Sequence, residues 1–332
     1  MAQEFKALQV QQVEKKVFNR QIVTRSMDDL PEGDLVVKVH YSSLNYKDAL
    51  SATGNPGVTR NFPHTPGIDA AGVVVSCEDG RFQPGDKVIV TSYDLGMETD
   101  GGFGQMIRVP GKWAVALPDG LSLKESMMLG TAGLTAAMSV RELVENGVKA
   151  EEGPILVTGA TGGVGSMAVS MLAKAGYQVT AATGKLSETD HLKGLGATEV
   201  IERDKVVEGS ERPMMKTLWA GVVDCVGGET LAAALKSTKY DGVVTCCGLV
   251  GSIDIPVNVF PFILRGVRLI GIDSVEMPMS KRQAVWKKMA AEWKPDNMES
   301  MVDEIGLDGL EEKIQGMLKA QLKRKVLVNL QS

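Results

Sequence analysis

The stretch Leu156-Val157-Thr158-Gly159-Ala160-Thr161-Gly162-Gly163-Val164-Gly165-Ser166 is where residue types and spacing speak most directly of chemistry. An apolar run leads into it and a helical pattern follows. It reads as Ala160-x-Gly162-x-x-Gly165, a GxGxxG turn with alanine in the first place. Small residues at a strand-to-helix turn let the backbone close on a pyrophosphate, which then rests on amides at the helix N-terminus. Ala160, Thr161, Gly162, Gly163, Val164 and Gly165 are therefore expected to hold the phosphates of a dinucleotide.

Which dinucleotide is decided by the end of the next strand. A site for NAD places an Asp or Glu there, about 20 residues beyond the fingerprint, to pair with the ribose 2′-hydroxyl. Here the strand that begins at Tyr177 ends in Thr183-Gly184-Lys185. Without the acid nothing repels a 2′-phosphate, so NADPH is expected. Thr183 offers a hydroxyl and Lys185 a charge, although a loop lysine is also commonly just solvated. Arg203, after the following strand, can stack on adenine or reach the phosphate. Two further turns, Val226-Gly227-Gly228 and Gly248-Leu249-Val250, follow apolar strands, and ligands in such sheets bind beyond the carboxyl ends of strands. Val226, Gly248 and Leu249 are expected beside the nicotinamide ribose.

The elements that must position these residues fall into two patterns. Residues 1 to about 128 read as strands and turns: Leu35–Tyr41, Gly72–Val75 and Gln83–Val90, then a tight bend at Gly101–Gly104. From about 129 short apolar strands alternate with helices: Pro154–Thr158, Tyr177–Ala182, Val200–Ile201, Gly221–Asp224, Gly242–Cys246 and Arg268–Gly271. That alternation predicts a doubly wound parallel sheet. Amphipathic segments and a last strand, Lys325–Leu330, close the chain. The expected division is 1–128 with 272–332, and 129–271.

Composition narrows the function classes. The 332 residues are 44% hydrophobic and 23% charged, which suits a packed α/β protein. The net charge is −5 and no basic stripe is present, which argues against nucleic acid as a partner. The start MAQEFKALQVQQVEKK lacks the apolar core of a signal peptide, and no apolar run approaches the ~18 residues of a membrane span. A cytoplasmic protein is expected. Cys77, Cys225, Cys246 and Cys247 form no CxxC pair and read as buried small hydrophobes in a reducing compartment.

Taken together, Ser42–Leu50, Arg60–Pro63, Pro66–Gly72, Gly130–Ala136, Pro261–Arg265 and Gly271–Val275 resemble the medium-chain dehydrogenase/reductase superfamily. Within it they resemble the zinc-free quinone-oxidoreductase-like branch, and there the bacterial acryloyl-CoA reductase subgroup. The resemblance implies a mainly β, GroES-like catalytic domain beside a Rossmann domain, and usually a homodimer. It implies NADPH-dependent reduction of an activated carbon–carbon double bond, acryloyl-CoA to propionyl-CoA first among them. A quinone or alkenal reductase is the alternative, and a non-catalytic NADPH-binding protein the second.

Zinc-dependent relatives carry a cysteine where Asn45 stands and Gly-His-Glu where Gly67-Ile68-Asp69 stands. The structural four-cysteine lobe is missing too, and His40, His64 and His191 lie far apart in sequence. No metal is expected. Hydride transfer to the β-carbon of an enoyl thioester leaves negative charge on the thioester oxygen, which needs hydrogen-bond donors, and the α-carbon needs a proton. The implied candidates are Asn45 (amide donor), Tyr46 (phenol donor), Asp48 (orienting Tyr46 or a water) and Asp69, expected to face the cleft. Asn45-x-x-Asp48 reads equally as a helix N-cap with its acid at the third position, and Asp69 as a turn residue accepting amides. Thr131 is expected near the nicotinamide. Relatives show Gly-Arg before the last strand; here Arg324-Lys325 stands, so either residue could take the arginine's place near cofactor or substrate.

Overall fold

The structure is a computed structural model describing residues 4–331. The chain divides into two compact units. The first comprises residues through Thr131, Val275–Lys287 and the stretch from Met298 onward; the second comprises Ala132–Ser274 and Lys288–Asn297.

The first unit contains a hairpin of β1 (Glu4–Glu14) and β2 (Val17–Ser26), and a seven-stranded sheet. The sheet takes β3 (Leu35–Leu44), β4 (Asp69–Cys77), β5 (Lys87–Thr91), β6 (Met106–Val109) and β7 (Ala114–Ala116) from the first part of the chain. Its remaining two strands, β14 (Val302–Ile305) and β15 (Lys325–Asn329), come from the end. The order is β14-β15-β3-β4-β5-β7, with β6 also on β3. β3 runs antiparallel to both β4 and β15. The carboxyl end of β3 therefore meets the amino ends of β4 and β15, which brings Ser43, Asp69 and Lys325 together. Leu35, Val37, Val39, Val74, Val88, Phe103, Ile107, Val326 and Val328 form the core beneath.

The second unit is a six-stranded parallel sheet of β8 (Ile155–Val157), β9 (Val179–Thr183), β10 (Glu199–Glu202), β11 (Trp219–Asp224), β12 (Thr238–Cys246) and β13 (Arg268–Gly271). The order β10-β9-β8-β11-β12-β13 reverses direction beside β8, and that switch point is where such sheets bind dinucleotides. β8, β9 and β11 are buried along their whole length, as a parallel sheet covered on both faces requires.

One segment falls on the other side of the expected division. The segment Lys288–Asn297 joins the second unit rather than the first. Trp293 is buried and Asp296 pairs with Lys174 at 2.5 Å, so burial and charge both draw it there. Near the other expected boundary, the helix Leu123–Glu145 is broken at Gly130, whose φ of 54° is left-handed. Helical hydrophobic periodicity does not report such a break.

Candidate functional site

In the second unit, β8 runs through Thr158–Gly162 into the helix Gly163–Lys174. A Cβ at Gly165 would lie 2.3 Å from the Gly159 carbonyl oxygen and 2.8 Å from the Ala160 Cα, so only glycine lets the helix start this close to the turn. Gly162 and Gly163 are exposed and Ala160 is buried. The open amides at the start of this twelve-residue helix suit an anion. Thr161 Oγ1 and Thr183 Oγ1 are 3.2 Å apart, tying the turn to the end of β9.

At that strand end Thr183 is buried and accepts the Lys185 amide at 2.9 Å. Gly184 is exposed, and a Cβ there would be 3.7 Å from the Arg203 guanidinium, so Arg203 lies over it. The Arg203 side chain is 59% exposed, which leaves most of its fork available. Thr183, Gly184, Lys185 and Arg203 thus gather into one cationic strand end.

Asp224, at the end of β11, was not singled out by the sequence. It is fully buried and accepts Thr158 Oγ1 at 2.7 Å, the Gly227 amide at 2.8 Å and the Val226 amide at 3.3 Å. It therefore staples the phosphate turn to the Val226–Gly228 turn. Burial raises its pKa, and these hydrogen bonds pull it back. Beside it Gly248 packs so closely on the Cys225 backbone that a Cβ would sit 2.0 Å from the Cys225 oxygen. Leu249 is exposed. Cys225 and Cys247 place their sulfurs 3.8 Å apart. The bond from Cys247, and then burial, push the Cys225 thiol well up.

In the first unit Asp69 is fully buried and surrounded by donors. Its Oδ2 accepts Ser43 Oγ at 2.5 Å, Asn45 Nδ2 at 2.8 Å and the Thr131 amide at 3.0 Å. Its Oδ1 accepts Thr131 Oγ1 at 2.6 Å. Lys325, also buried, donates to Ser43 Oγ at 2.8 Å. Lys325, expected beside cofactor or substrate, donates its ammonium within this cluster. Burial pushes the Lys325 pKa down, and Asp69 and Asp48 partly restore it. Arg324, half exposed, stands 3.9 Å from Asp303.

The short helix Tyr46–Ser51 starts on Asn45 with a capping box. Asp48 accepts the Asn45 amide at 2.7 Å and the Ile68 amide at 2.8 Å, one on each oxygen. Burial, and next the charge of Asp69, raise its pKa to about 7. Asp48 thus orients backbone; the Tyr46 phenol, on a residue 52% exposed, has no hydrogen-bond partner among the described residues. Asn45 was expected to present its amide as a donor. Its Nδ2 hydrogens are directed to Asp69 Oδ2 and, at 3.2 Å, to the Ser43 carbonyl, so both are spent inside the cluster.

Three cations that could meet the phosphates of a long substrate have distinct surroundings. Arg265 donates to the carbonyls of Lys236, Met215 and Thr238 and holds a helix end. Lys112 lies on a surface cleft of about 410 Å³ shared with Arg81 and with three acids, Glu32, Asp34 and Asp79. Arg60 is exposed, with Glu98 at 3.9 Å. Among the described residues no three His, Cys, Asp or Glu stand together as metal ligands, and no helix is long and apolar enough to cross a membrane.

Residues 31–119 match the alcohol dehydrogenase GroES-like domain, and residues 163–293 match the zinc-binding dehydrogenase family. The putative quinone oxidoreductase YhfP of Bacillus subtilis is 48% identical over 98% of this chain and 99% of its own. The chain belongs to the medium-chain dehydrogenase/reductase superfamily, in its quinone-oxidoreductase-like branch. Among other members of this superfamily, the acrylyl-CoA reductase AcuI of Ruegeria pomeroyi is 43% identical over 92% of both chains. The crystal structure of YhfP with NAD bound shares the fold with a TM-score of 0.97, 47% identity and 99% and 100% coverage of the two chains. That of Escherichia coli YhdH with bound NADPH gives 0.93, with 42% identity and 98% and 99% coverage. The superfamily's two-part architecture, a GroES-like domain and a Rossmann-like parallel sheet, is the one seen here. The chain is thus an oxidoreductase of this superfamily.

Proposed function

We propose that this oxidoreductase uses NADPH to reduce the carbon–carbon double bond of a short enoyl thioester, with acrylyl-CoA as the leading substrate. The observation that carries the cofactor choice is the end of β9, where Arg203 lies over Gly184 and Thr183-Gly184-Lys185 holds no acid. Thr183, Lys185 and Arg203 would hold the 2′-phosphate, and the amides from Gly162 to Gly165 the pyrophosphate. NADPH supplies hydride. AcuI, at 43% identity, supports the thioester as its acceptor.

The chain's own residues handle the charge and the proton. Asn45 has no hydrogen left to give, so the exposed Tyr46 phenol is the donor we assign to the thioester oxygen. Asp69 fixes Asn45 and Thr131, and Asp48 holds the Ile68 turn. The reading is zinc-independent: an ammonium one hydroxyl away from Asp69 opposes a divalent cation at that carboxylate. We further propose a homodimer and a cytoplasmic setting. Val259, Ile263 and Leu264, between 59% and 68% exposed on and beside the helix Phe260–Arg265 that leads to the edge strand β13, are apolar surface that a second copy would cover.

The likeness to YhfP, named a putative quinone oxidoreductase, favours a second reading in which a quinone is the acceptor. NADPH oxidation with acrylyl-CoA, crotonyl-CoA and a simple benzoquinone in parallel separates the two. Turnover of acrylyl-CoA well above the quinone is expected. A quinone preference overturns the first reading in favour of the second, and NADPH binding without any turnover leaves neither.

A further inference from the structure

Lys325 sets the proton direction in one arm of the Asp69 cluster. An ammonium can only donate, so Ser43 Oγ accepts from Lys325 and must give its single proton to Asp69 Oδ2. Asp69 Oδ1 in turn takes the Thr131 hydroxyl proton. Thr131 Oγ1 then meets Ser92 Oγ, 3.2 Å away, as an acceptor. Two donor arms, Lys325–Ser43 and Ser92–Thr131, therefore converge on the Asp69 carboxylate, and the first of them begins at a cation.

The charges make the same point. Asp48 and Asp69 are both buried, and a buried carboxylate is costly without a counter-charge. Two cations reach them from other elements. Arg282, on the helix Met279–Met289, feels Asp69, but its guanidinium donates to the Thr91 carbonyl, Thr91 Oγ1 and the Val275 carbonyl and lies 4.4 Å over Tyr93. Lys325 is the cation linked to Asp69 through a single hydroxyl.

We propose that Lys325 is a positioning residue for the reductase site, supplying through Ser43 the counter-charge and proton polarity that keep Asp69 an acceptor aimed at Asn45 and Thr131. Its kinetic consequence rests on the reductase reading above; its electrostatic consequence does not. Lys325 thereby differs from a cofactor-binding lysine, whose loss would act on NADPH affinity.

The test compares Lys325→Met, Lys325→Arg and Ser43→Ala with the parent protein. Three readouts are needed: NADPH affinity by fluorescence, the pH profile of kcat with acrylyl-CoA, and melting temperature against pH. Loss of the cation lets the neighbouring carboxylates bind protons more readily. In Lys325→Met the acidic limb of kcat should therefore move up by about one pH unit, and kcat near neutrality should fall roughly tenfold. The NADPH Kd should stay within about twofold of the parent. Lys325→Arg should restore the limb, and Ser43→Ala should shift it partway. Melting of Lys325→Met should drop more steeply than the parent's between about pH 5 and about pH 8. That last readout holds even if the parent turns over no acrylyl-CoA, so a failure of the reductase reading is separable from a failure of this one. Should Lys325→Met not fold, the Ser43→Ala limb decides. An unmoved limb with an unchanged melting slope, or a tenfold weaker NADPH Kd with the limb in place, overturns the proposal.

Discussion

Gly130 stands where any side chain would strike Asp69. A Cβ at Gly130 would lie 2.5 Å from Asp69 Oδ2 and 2.6 Å from Ser43 Oγ, and its φ of 54° is one that other residues resist. The break in the helix is what lets the Thr131 amide and hydroxyl both reach the same carboxylate. Gly130→Ala should therefore cost about 1–3 kcal/mol from backbone strain alone. Thermal or denaturant unfolding measures this, and a loss of only a few tenths would contradict the tight fit.

The cationic strand end should set cofactor choice. Lys185→Ala and Arg203→Ala should each weaken NADPH by roughly ten- to a hundredfold, the worth of about 1.5–3 kcal/mol for a charge-assisted hydrogen bond. NADH affinity should barely change. Fluorescence titration with both nucleotides checks this, and equal losses for the two would place these side chains away from the 2′-phosphate.

Asp48 makes stability depend on pH in an uncommon direction. Its pKa rises from 3.8 to about 7 in the folded chain, so the folded state holds the proton more tightly than the unfolded one. The stabilisation from that proton is complete below the unfolded value and is lost as pH climbs through the folded value. Melting should therefore be higher near pH 5 than near pH 8, and Asp48→Asn should flatten the difference. A variant slope as steep as the parent's would assign the effect elsewhere.

Tyr46 should matter to turnover and not to folding. With the residue 52% exposed and the phenol without a hydrogen bond among the described residues, Tyr46→Phe should leave the melting temperature unchanged. The kcat with acrylyl-CoA should fall roughly a hundredfold, the usual worth of one donor at a developing oxyanion. An unaltered kcat would remove Tyr46 from the chemistry.

Local signals were legible and distant ones were not. The turn from Thr158 to Gly165 declared itself because close helix-to-strand packing demands small residues at fixed spacing. The missing acid at Thr183–Lys185 was equally local. Ser43, Gly130 and Asp224 gave no such signal. Ser43 meets Lys325 from 282 residues away, and only the antiparallel pairing of β3 with β15 joins them. The capping alternative at Asn45 and Asp48 was readable from spacing, but the direction of the Asn45 amide depends on Asp69, 24 residues on. Lys288–Asn297 carried no boundary mark, since what draws it to the second unit is the burial of Trp293 and the Asp296–Lys174 pair.

The high pKa of the Cys225 thiol has a consequence for survival. Acrylyl thioesters alkylate thiolates, so a reductase that handles them works beside a poison for its own cysteines. Cys225 packs directly against the Gly248 turn, and its contact with Cys247 and its burial hold it as the unreactive thiol. Burial does the same for Cys246 and Cys77. A raised pKa keeps these sulfurs in the protonation state that tolerates the substrate we assign to the chain.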